Sequence, residues 1–166
     1  RILREDRFHF VRGAGDTVRG TSERRMEAIL PTRRRPSVRR ARQGTDTVNV
    51  LFVSEYLPQE MLGIMWLSRA LKDAGHTTRA VFLPDRTWID KVREFEPDVV
   101  CYSVTTGMHL YLAEVNQKLK RVFPDVFSVF GGPHPTFSPE YVETEGVDAI
   151  CRGEGELALV ELVGRL

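Results

Sequence analysis

Four short stretches of small, hydroxylic and glycine residues each follow an apolar run in the sequence. They are SEYLPQE (54–60), SVTTG (103–107), GGPHPT (131–136) and RGEGE (152–156). Hydroxyl groups both donate and accept hydrogen bonds, and two adjacent glycines at the end of a buried strand let a ligand lie directly against the backbone. The pattern therefore predicts a ligand that is held by backbone and hydroxyl groups rather than by strong charges.

Each of these features also has a purely structural explanation. Gly131 and Gly132 can supply a positive φ at a turn. Ser103 and Thr105 can bond to nearby backbone, as such residues often do at strand ends. A carboxylate such as Glu154 is favoured at the beginning of a helix by the helix dipole. The residues alone leave both explanations open.

Several other kinds of site are excluded by motif. The chain has no GxxxxGK[ST] phosphate loop, no GxGxxG after its first strand and no GxSxG nucleophile elbow. It also has no CxxC pair or His/Cys cluster with the spacing of a zinc site. His134, held between two prolines, is interpreted as a structural residue of its loop rather than as a metal ligand. We therefore assign no catalytic residue and no metal ligand.

Alternating strands and helices must position the four stretches. Continuous apolar runs predict strands at 48–56, 77–84, 98–104, 126–132 and 147–153, and helical spacing predicts helices at 62–75, 87–97, 108–124 and from 154 onward. This alternation predicts an α/β fold, a doubly wound, flavodoxin-like five-stranded parallel sheet with helices on both faces. Ligands bind such sheets at the carboxyl ends of the strands, where the strand order reverses, and all four stretches fall at that edge.

Charge divides the chain near residue 46. Residues 1–46 contain 13 arginines, no lysine and a net charge of +7, whereas residues 47–166 have a net charge of −6. We predict that 1–46 is a basic, disordered segment and that 47–166 is the folded domain. A short helix is predicted at 22–30, with Ser22 as its cap. The arginines fit a nucleic-acid-binding arm, but a solvated tail, or an extension foreign to the natural domain, is favoured.

The remaining composition predicts a cytoplasmic protein. No apolar run is long enough to span a membrane, and the N-terminus has no signal-peptide core. Cys101 and Cys151 lie within predicted buried strands and are interpreted as reduced thiols. Because the chain begins with Arg1 rather than Met, a fragment of a longer protein is expected.

Four segments together resemble a known family. VNVLFVSEYLP, the SVTT strand end, FGGPHPTFSPE and GVDAICRGEGE are similar to the cobalamin-binding domain of cobalamin-dependent radical S-adenosylmethionine enzymes. These enzymes include methyltransferases and the anaerobic magnesium-protoporphyrin ester cyclase type. The resemblance covers residues 48–166. It implies that the corrin ring lies across the carboxyl ends of the strands, with its nucleotide tail in a groove of small residues.

The resemblance also implies a set of cofactor-binding residues. Hydroxyl groups after the third strand would meet the tail, the two glycines would allow its close approach, and the residues after them would shape the rim near the corrin. The implied residues are Ser54, Glu55, Ser103, Thr105, Thr106, Gly131, Gly132, Pro133, His134, Gly153 and Glu154. A Gly132→Phe substitution is therefore expected to abolish cobalamin binding while the sheet remains folded.

Two departures from the family limit what the resemblance implies. Relatives such as methionine synthase carry DxHxxG after the first strand, whereas this chain has SEYLPQEMLG and no histidine there, so no protein ligand to cobalt is assigned. The chain also lacks the CxxxCxxC motif that holds a [4Fe–4S] cluster and S-adenosylmethionine. Both are expected only in a downstream domain, so this chain alone is not expected to be catalytic. The alternative is a flavodoxin-like domain that binds another small ligand or acts as an interaction domain.

Overall fold

Seven strands form a single sheet in the computed structural model of the chain, which describes residues 11–12, 27–30, 47–55 and 61–166. The strands are β1 (Val11–Arg12), β2 (Glu27–Leu30), β3 (Asn49–Ser54), β4 (Thr77–Phe82), β5 (Val99–Ser103), β6 (Phe127–Gly131) and β7 (Ala149–Arg152). Their order across the sheet is β1-β2-β7-β6-β5-β3-β4.

The five strands from β3 to β7 are all parallel, as the sequence predicts. Their order, β4-β3-β5-β6-β7, is the flavodoxin-like order. The chain winds outward in one direction from β3 and in the other direction from β5. The crevice where a ligand is expected therefore lies between the carboxyl ends of β3 and β5.

Helices cover both faces of this sheet. They are α1 (Met61–Asp73), α2 (Trp88–Phe95), α3 (His109–Val122), α4 (Pro133–Phe137), the 3-10 helix Pro139–Glu143 and α5 (Glu156–Val163). Side chains alternate along each strand, so the sheet has two separate cores. One core packs against α1 and α5, and the other packs against α2, α3 and the 3-10 helix.

The N-terminal segment contributes two strands that the sequence did not predict. Glu27 to Leu30 form β2, which runs antiparallel to β7 and pairs Glu27 with Arg152, while β1 lies parallel to β2. The helix predicted at 22–30 is therefore wrong for residues 27–30, because pairing with the free edge of β7 outweighs local helix propensity. The predicted cap Ser22 and most of the segment predicted as disordered lie outside the described residues.

Both cysteines of the chain lie within the described residues. They are buried and free, in agreement with their interpretation as reduced thiols. Burial raises the pKa of the Cys151 thiol to about 11, so it stays protonated and unreactive at neutral pH. None of the helices within the described residues has the length and hydropathy that crossing a membrane requires.

Candidate functional site

The residues that sequence reasoning selected lie along one edge of the sheet. Ser54 ends β3 and Glu55 follows it, while Ser103 ends β5 and residues 104–106 follow it, so these two groups flank the point where the strand order reverses. Gly131 ends the neighbouring strand β6, Gly132 follows it, and Gly153 follows β7 one strand further away. The structure therefore brings the selected residues to a common edge, with those after β3 and β5 closest to the expected crevice.

A row of small residues closes the α1/α5 face of the sheet at this edge. Ser103 pairs with Gly131, and a Cβ placed on Gly131 would lie 3.8 Å from the Cβ of Cys151. Across four neighbouring strands, the last row on this face consists of Ser54, Ser103, Gly131 and Cys151. The preceding row, which packs against α1 and α5, consists of Phe52, Cys101, Val129 and Ala149. We call this row of four residues the small-residue groove.

Gly132 has a different role from Gly131. Its φ is +97°, and a Cβ there would lie 2.9 Å from the backbone N and 3.0 Å from the backbone O of Val104. The fold itself therefore requires glycine at this position. The structure argues against the expectation that Gly132→Phe leaves the sheet folded, because the added Cβ would meet the Val104 backbone. Gly131 is the glycine that faces the groove.

Backbone hydrogen bonds join the ends of β5 and β6. The Val104 N–H donates to the Gly131 carbonyl at 2.8 Å, and the His134 N–H donates to the Val104 carbonyl at 2.9 Å. Pro133 and His134 belong to the short helix α4, where the sequence predicted only a loop. Proline at the first helical position has a suitable fixed φ, so Pro133 was the available signal.

Thr136, which sequence reasoning missed, ties α4 to two strands. Its hydroxyl donates to the Gly132 carbonyl at 2.8 Å and accepts the Gly153 N–H at 3.1 Å. Its carbonyl accepts a hydrogen bond from Nε of Arg152 at 3.2 Å. The turn after β7, which includes Gly153 and the exposed Glu154, is thus held against the GGPHPT segment.

The imidazole of His134 points away from the small-residue groove. It is only 8% exposed and stacks on His109, the first residue of α3, with a ring separation of 4.2 Å. The Tyr141 ring packs edge-to-face with the same imidazole, with the two ring centroids 4.8 Å apart. Burial lowers the pKa of His134, and the neighbouring His109 lowers it further, while Glu140 acts in the opposite direction. His134 therefore forms part of the wall on the α3 side.

Exposed apolar side chains surround the carboxyl edge. Seven large ones lie in α4 or in the first half of α1, α3 or α5, namely Leu62, Met65, Trp66, Leu110, Tyr111, Phe137 and Leu157. Phe137 is 85% exposed, although the neighbouring Thr136 of α4 is held in place by its hydrogen bond to the Gly132 carbonyl. In α1 these residues, Leu62, Met65 and Trp66, are spaced i, i+3 and i+4 on the face away from the core, and this spacing was the sequence signal that could have predicted an exposed apolar surface. An exposed apolar surface of this kind usually marks an interaction site.

Neither metal-binding nor strongly charged groups dominate the described part of this edge. Among the described residues, no group of three or more His, Cys, Asp or Glu side chains is arranged to hold a metal ion. Apart from the carboxylates of Glu55 and Glu154, the edge offers hydroxyls, glycines and backbone amides to a ligand. This arrangement suits a large, weakly charged ligand more than a free phosphate or a metal ion.

The model of the family described as B12 binding domain matches residues 48–163. An uncharacterized methyltransferase of Pyrococcus horikoshii is 35% identical over 112 residues, which are 63% of this chain and 24% of that protein. The anaerobic magnesium-protoporphyrin IX monomethyl ester cyclase of Cereibacter sphaeroides is 36% identical, over 60% of this chain and 18% of the cyclase. The hopanoid C-3 methylase of Methylococcus capsulatus is 30% identical, over 70% of this chain and 24% of the methylase.

Two solved structures share the fold. A CheY-like protein of Pseudomonas aeruginosa superposes with a TM-score of 0.55 at 15% identity, over 70% of this chain and 93% of that chain. A pilus assembly-related protein of Burkholderia pseudomallei gives a TM-score of 0.51 at 18% identity, over 72% of this chain and 89% of that chain. At these identities, the two similarities show the doubly wound fold alone.

Proposed function

Because the chain belongs to the B12-binding domain family, we propose that it binds cobalamin at the carboxyl edge of its sheet and presents the corrin to a radical S-adenosylmethionine domain. The observation that carries this proposal is the small-residue groove, which lies within the residues that the family model matches. Small side chains at four adjacent strand ends leave room for the nucleotide tail, which larger side chains would fill.

Named residues of this edge would hold the cofactor. Gly131 would let the tail approach the backbone of β6, and the hydroxyls of Ser103 and Thr105 would bond to its polar groups. The Ser54 hydroxyl donates to the Glu55 carbonyl at 2.8 Å, which leaves its oxygen free to accept a hydrogen bond. Bound cobalamin would supply the cobalt–carbon chemistry, while the protein supplies position and surroundings.

No protein ligand to cobalt is proposed. Residues 56–60 of the turn after β3 lie outside the described residues, and their sequence contains no histidine. The His134 ring is buried under α3 on the face opposite the small-residue groove. Its contribution to the site is therefore to hold the shape of the α4 segment.

The radical S-adenosylmethionine domain is proposed as a partner, in the same chain or a separate one. The chain matches between 18% and 24% of the length of the relatives named above as a methyltransferase, a cyclase and a methylase. Methyl transfer or cyclisation is accordingly proposed for the complete enzyme only, with its [4Fe–4S] cluster and S-adenosylmethionine in the partner domain. The exposed apolar side chains at the edge would suit a surface that such a partner covers.

Cobalamin binding is tested directly with hydroxocobalamin. The purified chain is expected to retain the ligand through gel filtration and to shift its visible spectrum. A chain that has the circular dichroism of a folded α/β protein but retains no cobalamin would overturn the proposal. That outcome would favour the alternative, an interaction domain of the same fold that uses the apolar edge alone.

Gly131→Val tests whether cobalamin binding depends on the small-residue groove. A Cβ at Gly131 has only Cys151 nearby, at 3.8 Å, so the variant is expected to fold. The branched side chain would occupy the groove and weaken hydroxocobalamin binding by about tenfold or more. Gly63→Val is the matched control, since a Cβ there meets nothing within 4 Å on the exposed side of α1. Equal hydroxocobalamin affinities of the two variants would show that the nucleotide tail does not bind in the small-residue groove.

A further inference from the structure

Two stacked imidazoles lie beneath the loop that joins β5 to α3. The rings of His109 and His134 are 4.2 Å apart with an interplanar angle of 27°. They come from different elements, because His109 begins α3 and His134 lies in α4. The proposed contacts with cobalamin use neither ring, since the groove is on the other face.

Both rings contact the same residue of the loop. Nδ1 of His109 donates a hydrogen bond to the Thr106 carbonyl, and since a carbonyl only accepts, this nitrogen must carry a proton. Nδ1 of His134 lies 3.4 Å from the Thr106 hydroxyl. Thr106 is thus held from two sides, and the adjacent Thr105 is fixed with it.

The surroundings of His134 favour its neutral form. The Tyr141 ring packs edge-to-face with both imidazoles, with centroid separations of 4.8 Å to His134 and 6.2 Å to His109, and its hydroxyl donates to the His109 carbonyl at 2.7 Å. Glu140, on the 3-10 helix with Tyr141, is exposed and raises the pKa of His134 only as a secondary effect. No carboxylate of the described residues is hydrogen-bonded to either ring. The remaining contact, with the loop, comes from Thr106, which carries no charge.

The direction of the pH effect follows from this environment. Burial lowers the pKa of His134 below the ordinary histidine value of about 6.5, and charge on His109 lowers it further. A histidine with a lowered pKa binds its proton more readily once its surroundings loosen. The packed arrangement therefore has its full stability above about pH 6.5 and loses stability as the pH falls below that value.

We propose that His109 and His134 are a positioning pair: while His134 is neutral, the stack holds Thr106 and the 103–106 loop in the ligand-binding position, and protonation of His134 releases that loop. Release of the loop is a property of the chain without ligand. Only its consequence for cobalamin rests on the proposed function, because it requires Thr105 and Thr106 to contact the cofactor.

The ligand-free chain provides the first test. The chain has four histidines, and NMR can follow their rings together with the amides of Thr105 and Thr106 between pH 7.5 and 5.5. The two amides are expected to shift with the same midpoint as His134. In His134→Phe, which keeps an aromatic ring in the stack but cannot take a proton, this shift should disappear. Amides that titrate unchanged in the variant would overturn the proposal.

A second variant and a control keep this test decisive. If His134→Phe does not fold, His134→Asn places an amide near the position of Nδ1, so it can keep the Thr106 contact without titrating. It should abolish the pH-dependent shift in the same way. His76→Asn is the control, because burial also lowers the pKa of His76 but its Nδ1 accepts the Val48 N–H at the opposite edge of the sheet. This control should leave the Thr106 titration intact.

Hydroxocobalamin affinity provides the second test. The ratio of Kd at pH 5.5 to Kd at pH 7.5 is compared between the natural chain and His134→Phe, so that any titration of the ligand itself cancels. A ratio several times larger is expected in the natural chain, and each unit of pKa difference between the held and released loop contributes a factor of at most about ten, reached only well below both pKa values. Equal ratios would contradict the proposal. A natural chain that binds no cobalamin at pH 7.5 would instead overturn the proposed function, while the ligand-free titration would still decide the role of the pair.

Discussion

The amino and carboxyl edges of the sheet differ in how completely their groups are partnered. At the amino edge of β6 and β7, buried polar groups are joined in a closed network. At the carboxyl edge, small residues line a groove and seven large apolar side chains are exposed. The buried polar groups at the amino edge therefore find their partners within the fold, whereas the exposed apolar side chains at the carboxyl edge do not.

The amino-edge network explains half of the GVDAICRGEGE motif. Asn116 of α3 is fully buried, donates to the Gly146 carbonyl at 2.7 Å and accepts from the Ser128 hydroxyl at 2.7 Å. Asp148 accepts the Ser128 N–H at 2.8 Å and forms an ion pair with Lys120. This half of the motif fastens α3 to the sheet, whereas the other half, around Gly153, lies at the ligand edge.

The difference between the edges separates fold from function. A closed polar network stabilises the native state because each buried group has its partner. An edge with small residues and exposed apolar side chains is suited to partners outside the sheet, in a ligand or another domain. Substitutions at the amino edge should therefore reduce stability, and those at the carboxyl edge should reduce binding.

Gly132→Ala is expected to break this rule with the largest effect, since Gly132 is a fold-determining residue on the binding edge. The combination of a positive φ and contact with the Val104 backbone should lower the free energy of unfolding by more than about 2 kcal/mol. Gly153→Ala is the matched control, with φ of +76° but no atom within 4 Å of the new Cβ. Urea denaturation should show a clearly smaller loss in the control. Equal losses would mean that φ alone, and not the Val104 contact, requires glycine.

Asn116→Ala tests the amino edge. The substitution leaves the buried Ser128 hydroxyl without its acceptor and the Gly146 carbonyl without its donor, which should lower the free energy of unfolding by ~2 kcal/mol. The affinity for hydroxocobalamin, measured well below the melting temperature, should not change. Glu114→Ala on the exposed side of α3 should alter stability by less than ~0.5 kcal/mol. A large loss of cobalamin affinity in Asn116→Ala would show that the two edges are coupled through α3.

The sequence was sufficient for the parts of this comparison that depend on local pattern. Continuous apolar runs predicted the five parallel strands, because strands buried on both faces need no alternation. The order of strands and helices then placed Ser103, Gly131 and Gly153 at one edge without any knowledge of contacts.

What the sequence did not predict depends on contacts between distant residues. The proximity of Gly132 to Val104, and the stacking of His109 on His134, exist only after β5 and β6 are paired. The strand at 27–30 exists through its pairing with β7, far along the chain. Such contacts leave no local pattern, so the two adjacent glycines of GGPHPT looked equivalent although their surroundings differ.

Tyr102→Phe has the smallest expected effect and tests whether the face behind the groove takes part in binding. The ring stacks on Phe130 at 4.4 Å within the α2/α3 core, and its buried hydroxyl has no hydrogen-bond partner among the described residues. Removing that hydroxyl should raise the free energy of unfolding by ~1 kcal/mol, or the melting temperature by about 2–4 °C. Hydroxocobalamin affinity should stay the same, because side chains alternate along β5 and Ser103, not Tyr102, faces the groove. If hydroxocobalamin titrations showed a lower affinity for Tyr102→Phe than for the natural chain, part of the cofactor would bind on the α3 side, and binding would not be confined to one face of the sheet.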